Sequence, residues 1–371
     1  MRILLVSNYL KDGQESMQRF AALMLNGLLD AGHEVRVISP PMLAGRLKSS
    51  NQGMGKWLGY VDKFALFPPL LLDASRWADV VHICDHSNAM YAAWTGSAPC
   101  LVTCHDMLAV RGALSEQTDC PASRTGKYLQ RWIVHGLHKA NSVVCVSKAT
   151  LVDFERIVGR STSVILNSLN YPYHRISPDR CEALLSRVPQ LDLAKPFVLH
   201  VGSNSARKNK NGVIRAFAKA TATVDLQLVL AGPQLNSELN ELIRDLGVAD
   251  RVIVVVKPCN EMLEGLYNKA LGLLFPSRFE GFGWPLIEAQ ACGCPVICSR
   301  CAPFSEIVGE SAIMREVDDE SGFAADLSTL ANDSSERARW VQKGLRNAVR
   351  FSRELMISAY IDRYKELVQT S

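Results

Sequence analysis

The residues of this 371-residue chain best suited to chemistry lie between Phe275 and Val296. An apolar run ends there in Phe275-Pro276-Ser277-Arg278-Phe279-Glu280-Gly281-Phe282-Gly283-Trp284-Pro285, and Glu288 stands eight residues after Glu280. Gly281 and Gly283 let the backbone approach a ligand closely, and Pro285 sits where a first helical residue belongs. Free amides at such a helix start point at an anion, which suits a pyrophosphate. The flanking carboxylates accept hydrogen bonds from hydroxyl pairs, so one suits a sugar and the other a ribose. A second anion-facing stretch comes earlier: Phe197–Val201 reads as a strand leading through Gly202 into Ser203-Asn204-Ser205-Ala206-Arg207-Lys208-Asn209-Lys210-Asn211. Arg207, Lys208 and Lys210 place three cations in four residues at the strand end, the edge where parallel sheets bind ligands. Alone, a glutamate pair is more often a loop charge and a solvated helix position, and a charge run is usually solvated. Together, the dense glycine turn and the cationic loop read as two walls of a diphosphate site.

In the first half, Leu101-Val102-Thr103-Cys104 ends in His105-Asp106, and Val80-Val81-His82-Ile83-Cys84 ends in Asp85-His86. His105 is either a ligand-edge residue or a buried histidine satisfied by backbone. His82, Asp85 and His86 resemble a metal triad but are read as strand-end residues facing an acceptor pocket, with Asp106 beside them. Cys292, Cys294, Cys298 and Cys301 crowd into ten residues without the two separated CxxC knuckles of a ribbon-type metal site, so plain buried thiols are expected. No Asp-x-Asp triplet occurs, and no metal clamp for a diphosphate is expected. Lys56–Phe67 interleaves cations with aromatics; such a helix lies either over its own sheet or against an anionic membrane face.

The elements that position these residues alternate. Short β-branched runs at 3–6, 35–38, 80–83, 101–103, 143–146 and 164–166 are separated by amphipathic stretches such as 16–29, 125–140 and 148–157. The pattern restarts at 197–201 and continues at 226–230, 252–256, 272–275 and 296–297. It predicts an α/β chain of two Rossmann-like domains, each a parallel sheet covered by helices, facing a cleft. Residues 1–180 form the first domain and 190–350 the second, with 171–196 as linker. A helical pattern from about Glu336 to Gln369, interrupted near Phe351-Ser352, ends the chain. Bulk numbers agree with a globular protein: 48% hydrophobic, 21% charged, net charge +4. Residues 1–190 carry 20 Lys and Arg against 15 Asp and Glu, too mild an excess for a nucleic-acid binder but room for a basic patch. No run of 18 apolar residues offers a transmembrane helix. Met1–Ser7 reads as a first strand rather than a signal peptide, and eleven scattered cysteines fit reduced thiols in a cytoplasmic protein.

Glu280-Gly-Phe-Gly…Glu288 with Ala-Cys-Gly-Cys-Pro-Val resembles the E-x7-E signature of glycosyltransferase family 4. Gly202…Arg207-Lys208-Asn209 is similar to that family's donor-diphosphate loop. Val229-Leu230-Ala231-Gly232-Pro233, Phe275-Pro276-Ser277, Val146-Ser147 and Gly32-His33-Glu34-Val35 resemble its usual strand ends and turns. The resemblance implies the GT-B fold, with residues 351–371 as a helix crossing back to the first domain. It implies a retaining, metal-independent hexosyltransferase that requires no cofactor. The donor would be a GDP- or UDP-linked nucleotide sugar, with a lean to mannosyl, and the acceptor a glycan or lipid-linked molecule. The first domain would bind the acceptor and the second the nucleotide sugar, in the cytoplasm or peripherally at the inner membrane face. Arg207, Lys208, Glu280 and His105 would carry catalysis. Gly202, Lys208, Gly281, Phe282, Gly283, Glu288 and Gly13 would hold the donor, Glu280 on the sugar and Glu288 on the ribose. The chain departs from the family at three places: Gly13 is the only glycine in the loop after the first strand, Ser203 stands where many members have Arg, and Asn167-Ser168 replaces an Asn-Gly turn. Two rivals remain: a GT-B epimerase or phosphorylase, and a non-catalytic nucleotide-sugar-binding partner.

Overall fold

A computed structural model of the protein describes residues 1–47 and 54–370. It divides into two compact units, Met1–Asn170 with Arg353–Ser371, and Tyr171–Ser352. In the first, β1 (Arg2–Val6), β2 (Glu34–Ile38), β3 (Val80–Ile83), β4 (Cys100–Cys104), β5 (Ser142–Cys145) and β6 (Ser163–Val164) pair in the order β2-β1-β3-β4-β5-β6, all parallel. Helices cover both faces, so β3, β4 and β5 are buried along their whole length, the polar His82, Thr103 and Ser142 included. From β1 the chain steps one way to β2 and the other way to β3. The switch point therefore falls between the C-terminal ends of β1 and β3.

The second unit repeats the plan with β7 (Phe197–Val201), β8 (Gln227–Gly232), β9 (Val252–Val256), β10 (Gly272–Phe275), β11 (Val296–Ser299) and β12 (Ile313–Arg315), ordered β12-β11-β10-β7-β8-β9. Its switch point lies between β7 and β10. Each unit has its own core, with Leu4, Val81, Val102 and Phe154 in one and Val198, Phe217, Leu228 and Leu274 in the other. The half-buried three-residue β12 is too short to register as an apolar run in the sequence.

The expected linker at 171–196 is instead built into the second unit. Ser177 caps a helix over Pro178–Leu185, with proline in its first turn. The helix packs on the helix Asn260–Lys269, where the Cys181 thiol donates to the Gly265 carbonyl at 3.3 Å. Its Cys181, Leu184 and Leu185 are buried, an apolar stripe too brief to stand out among prolines and charges.

The chain's last helix, Arg353–Thr370, belongs to the first unit; Ser352, with ψ 146°, breaks it from the preceding turn. Around Lys56–Phe67, an α-helix over Met54–Val61 widens into a π-helical turn at Asp62–Leu66 and resumes at Phe67–Ser75. Asp62 explains the irregular turn: it is fully buried and accepts from Tyr9 Oη at 2.8 Å and the Ala44 and Gly45 amides at 2.8 and 2.9 Å. Phe67 and Leu71 enter the core, whereas Trp57 is 66% exposed; the Lys56 side chain lies outside the described residues. Among the described residues, all eleven cysteines are free, and no group of three His, Cys, Asp or Glu side chains is placed to hold a metal.

Candidate active site

In the second unit, both sequence-predicted segments arrive at the β7/β10 switch point. After β7 the chain passes Gly202 and turns through a short 3-10 helix, Ala206–Lys208, to Asn209, whose left-handed backbone (φ 53°) and side chain cap the helix Lys210–Ala220. After β10 it runs to Gly283, whose φ of 103° and contact with Phe304 leave no room for a side chain: an added Cβ would stand 2.8 Å from the Phe304 ring. Gly283 caps the helix Trp284–Ala291, with Pro285 in its first turn. The Arg278 amide donates to the Arg207 carbonyl at 2.7 Å, stitching the two loops together.

This places Lys208 and Glu280 in direct contact. Lys208 Nζ donates to Glu280 Oε1 at 2.5 Å, and Arg207 Nη1 lies 3.1 Å from Glu280 Oε2. The Lys208 and Glu280 side chains are only 10% and 9% exposed, so the pair is screened little by solvent. Burial pulls Lys208 below the usual lysine range against the opposing pull of Glu280. For Glu280, burial pushes upward, but the charges of Lys208 and Arg207 win and hold it below the usual carboxylate range. The Lys208 ammonium also stands 4.7 Å above the Phe275 ring. Gly202 closes the site from below, since a side chain there would press on Lys208 Cδ and His200 Nε2 at 3.3 and 3.2 Å.

Glu288 is not a solvated helix position. It is 3% exposed and accepts from Tyr267 Oη at 2.9 Å. Phe282 is buried against Trp284 and Phe351 and Gly281 is half-buried, so they shape the loop.

The first unit gathers a separate polar cluster at its own switch point. Asn8, just after β1, donates to Asp85 Oδ2, just after β3, at 2.6 Å. Asp85 also accepts from the Ser87 amide at 3.1 Å, and His86 Nδ1 lies 3.2 Å from Asp85 Oδ1 without hydrogen-bond alignment. Burial pushes Asp85 up, but its neighbours, His86 foremost, hold it well below the carboxylate range; the same pairing overcomes burial and raises His86. His105 is 6% exposed, stacks edge-on against Phe20 and donates from Nε2 to the Cys84 carbonyl at 2.9 Å; burial lowers it. Asp106 accepts from the Leu108 amide at 2.9 Å. Gly13, exposed and left-handed at φ 64°, ends the 3-10 turn Leu10–Asp12.

His82 does not belong with them. It is fully buried, with both ring nitrogens engaged: Nε2 at 2.8 Å from Thr103 Oγ1, and Nδ1 at 2.7 Å from Tyr364 Oη. Thr103 in turn meets Tyr360 Oη at 3.0 Å. The reason is strand register: His82 lies inside β3, on the face covered by the C-terminal helix, whereas Asp85 and His86 follow the strand's end. His82 thus ties β3 to that helix, its ring buried away from the cluster at the strand end.

A profile described as Glycosyltransferase Family 4 matches residues 17–170, and one described as Glycosyl transferases group 1 matches residues 184–346. The chain belongs to glycosyltransferase family 4. Among curated family relatives, it is 27% identical to the O-antigen chain mannosyltransferase B of Escherichia coli over 260 residues, 65% of each chain. It is 27% identical to the N-acetyl-alpha-D-glucosaminyl L-malate synthase of Bacillus anthracis over 258 residues, 68% of this chain and 66% of that one. These matches span just under two thirds of the relatives' length. The fold is that of the crystal structure of Anabaena HepE in complex with UDP and glucose (TM-score 0.77, 18% identity, covering 99% of this chain and 100% of that one). It is also that of WaaG, a glycosyltransferase involved in lipopolysaccharide biosynthesis (TM-score 0.76, 16% identity, covering 98% and 99%). Both support the GT-B architecture.

Proposed function

We propose that this family 4 member is a retaining, metal-independent hexosyltransferase. It moves a sugar, preferentially mannose, from a nucleoside-diphosphate donor held by the second unit to a glycan or lipid-linked acceptor bound by the first. The observation that carries this reading is the buried Lys208–Glu280 pair, with the half-buried Arg207 beside it, at the β7/β10 switch point. Departure of a nucleoside diphosphate builds negative charge on its β-phosphate, and two fixed cations in a solvent-poor crevice are suited to stabilise it. On donor binding, the phosphate competes with Glu280 for Lys208 and Arg207. The released carboxylate can then accept hydrogen bonds from the sugar hydroxyls as charge grows at the anomeric carbon. Glu288 takes the ribose hydroxyls beside Tyr267. His105, with Asp85, His86 and Asp106 near it, takes the sugar or acceptor.

The mannosyl preference draws on the Escherichia coli relative, and a UDP donor draws on HepE. A screen of GDP- and UDP-sugars by thermal shift, followed by donor turnover in EDTA and NMR of the product anomer, tests these points. An inverted product, or turnover abolished by EDTA and restored by a divalent metal, would remove the corresponding part of the reading.

A peripheral place at the inner membrane face is supported by the helix Arg124–Lys139 of the first unit. Its exposed face presents Arg124, Tyr128, Arg131, Trp132, His135, His138 and Lys139, and the helix has no carboxylate. Trp132 meets Phe64 at 5.0 Å, and Phe64 continues through Tyr60 to the exposed Trp57. Flotation with phosphatidylglycerol vesicles but not with neutral ones is the expected result; equal behaviour with both would argue against it.

A further inference from the structure

Lys210 is the cation of the loop after β7 that the Lys208 cluster leaves unexplained. It is the first residue of the helix Lys210–Ala220 and only 3% exposed. Its ammonium donates to Asn204 Oδ1 at 2.7 Å, a neutral amide, and no ion pair forms to it among the described residues. Two things oppose a cation there. Burial strips its water, and the start of a helix carries the positive end of the backbone dipole. Burial accordingly pulls Lys210 down to about 8. A buried charge without a counter-charge costs stability and persists where a ligand supplies the missing sign.

The position of the ammonium says which ligand. A Cβ placed on Gly232, at the end of β8, would stand 3.6 Å from Lys210 Nζ and 2.2 Å from the Gly202 carbonyl oxygen at the end of β7. Lys208 lies on the opposite side of β7, over Phe275 of β10. The two lysines therefore flank the same strand end. Between them, His200 gives Nδ1 to the Leu274 carbonyl at 3.0 Å, and its Nε2 is buried without a partner. Burial lowers His200 to about 3 with help from both ammonium groups, so the ring is neutral and cannot offset them. Lys208 and Arg207 share Glu280, while Lys210 has no such carboxylate: Glu238 lines a cavity beside it but forms no ion pair with it among the described residues. That cavity, of about 230 Å³ and lined also by Asn204, Asn209, Asn236 and Arg278, gives an anion room.

We propose that Lys210, held by Asn204, is a second phosphoryl-binding group, taking one phosphate of the donor diphosphate on the β8 side of Gly202 while Lys208 takes the other on the β10 side. This rests on the nucleoside-diphosphate reading above. The full-length chain carrying Lys210→Met or Lys210→Arg is melted without ligand and titrated calorimetrically with UDP, GDP and pyrophosphate, with uridine as control. The methionine variant is expected to melt higher than wild type when unliganded, because an uncompensated buried charge is gone. It should bind nucleoside diphosphate and pyrophosphate roughly 10- to 100-fold more weakly, as loss of a charge-assisted hydrogen bond implies. Arginine should restore part of that affinity. Unchanged affinity in Lys210→Met, or a lower unliganded melting temperature, would overturn the proposal and make Lys210 structural. A wild-type chain that binds pyrophosphate but neither nucleotide would instead sink the donor reading itself.

Discussion

Replacing Lys208 by methionine should separate its effect on the reaction from its effect on the fold. A single preorganised donor facing developing oxyanion charge is worth about 2.7–4 kcal/mol, so kcat at saturating donor should fall roughly 100- to 1000-fold. Lys208 is also one half of a buried ion pair with Glu280, both side chains about nine-tenths buried. Removing one member of such a pair typically costs about 3–5 kcal/mol because the other charge is stranded. Here Arg207 stays 3.1 Å from the same carboxylate, though 30% exposed, so about 1–3 kcal/mol is the expected loss. Adding Glu280→Gln to Lys208→Met removes the stranded charge and should return most of the stability while leaving kcat low. Urea denaturation measures the first quantity and steady-state turnover the second. If the double variant regains turnover with stability, the loss of activity was a folding defect, and the leaving-group role of Lys208 is refuted.

Glu288→Gln should mainly raise the donor KM, because its contacts form in the ground state, whereas Glu280→Gln should mainly lower kcat; equal effects of both variants on both constants would merge the two roles. Tyr364→Phe leaves His82 Nδ1 buried without its hydrogen-bond partner and should cost about 1–3 kcal/mol in denaturation, with little change in donor KM; a large kinetic change at unaltered stability would place His82 in the site. Burial holds His82 and His200 at about 3, so the unfolded chain binds more protons than the folded one below pH ~6.5. Their contribution is intact above that pH and lost as pH falls through the window from ~6.5 to 3. Each should cost about 2 kcal/mol between pH 7 and 5, and His200→Phe should flatten the acid slope by its share; an unchanged slope would mean that His200 titrates normally.

Much of the site is legible because its signals are local. Gly281, Gly283 and Pro285 announce a strand-to-helix turn through their own backbone preferences, and Arg207 and Lys208 sit one short turn past a strand. The short, mostly apolar strands and amphipathic helices give two parallel sheets for the same reason: their pattern is set over a few residues. The helix Pro178–Leu185 and β12 escape this reading because each presents too few apolar residues to make a period.

The sequence by itself determines which residue types reach the ends of β7 and β10, and that those ends suit an anion. Only the tertiary structure decides what each side chain meets there. Lys208 and Glu280 are 72 residues apart, and His82 and Tyr364 are 282 apart. No local pattern encodes such pairings. Burial is a property of what packs on top, so Glu288 and Lys210, whose residue types alone suit solvent, become an engaged carboxylate and an uncompensated cation once the sheet closes over them. His82 shows the converse: it lies within β3 rather than past its C-terminal end, and the C-terminal helix closes over it, so a histidine that reads as a strand-end residue is a buried latch.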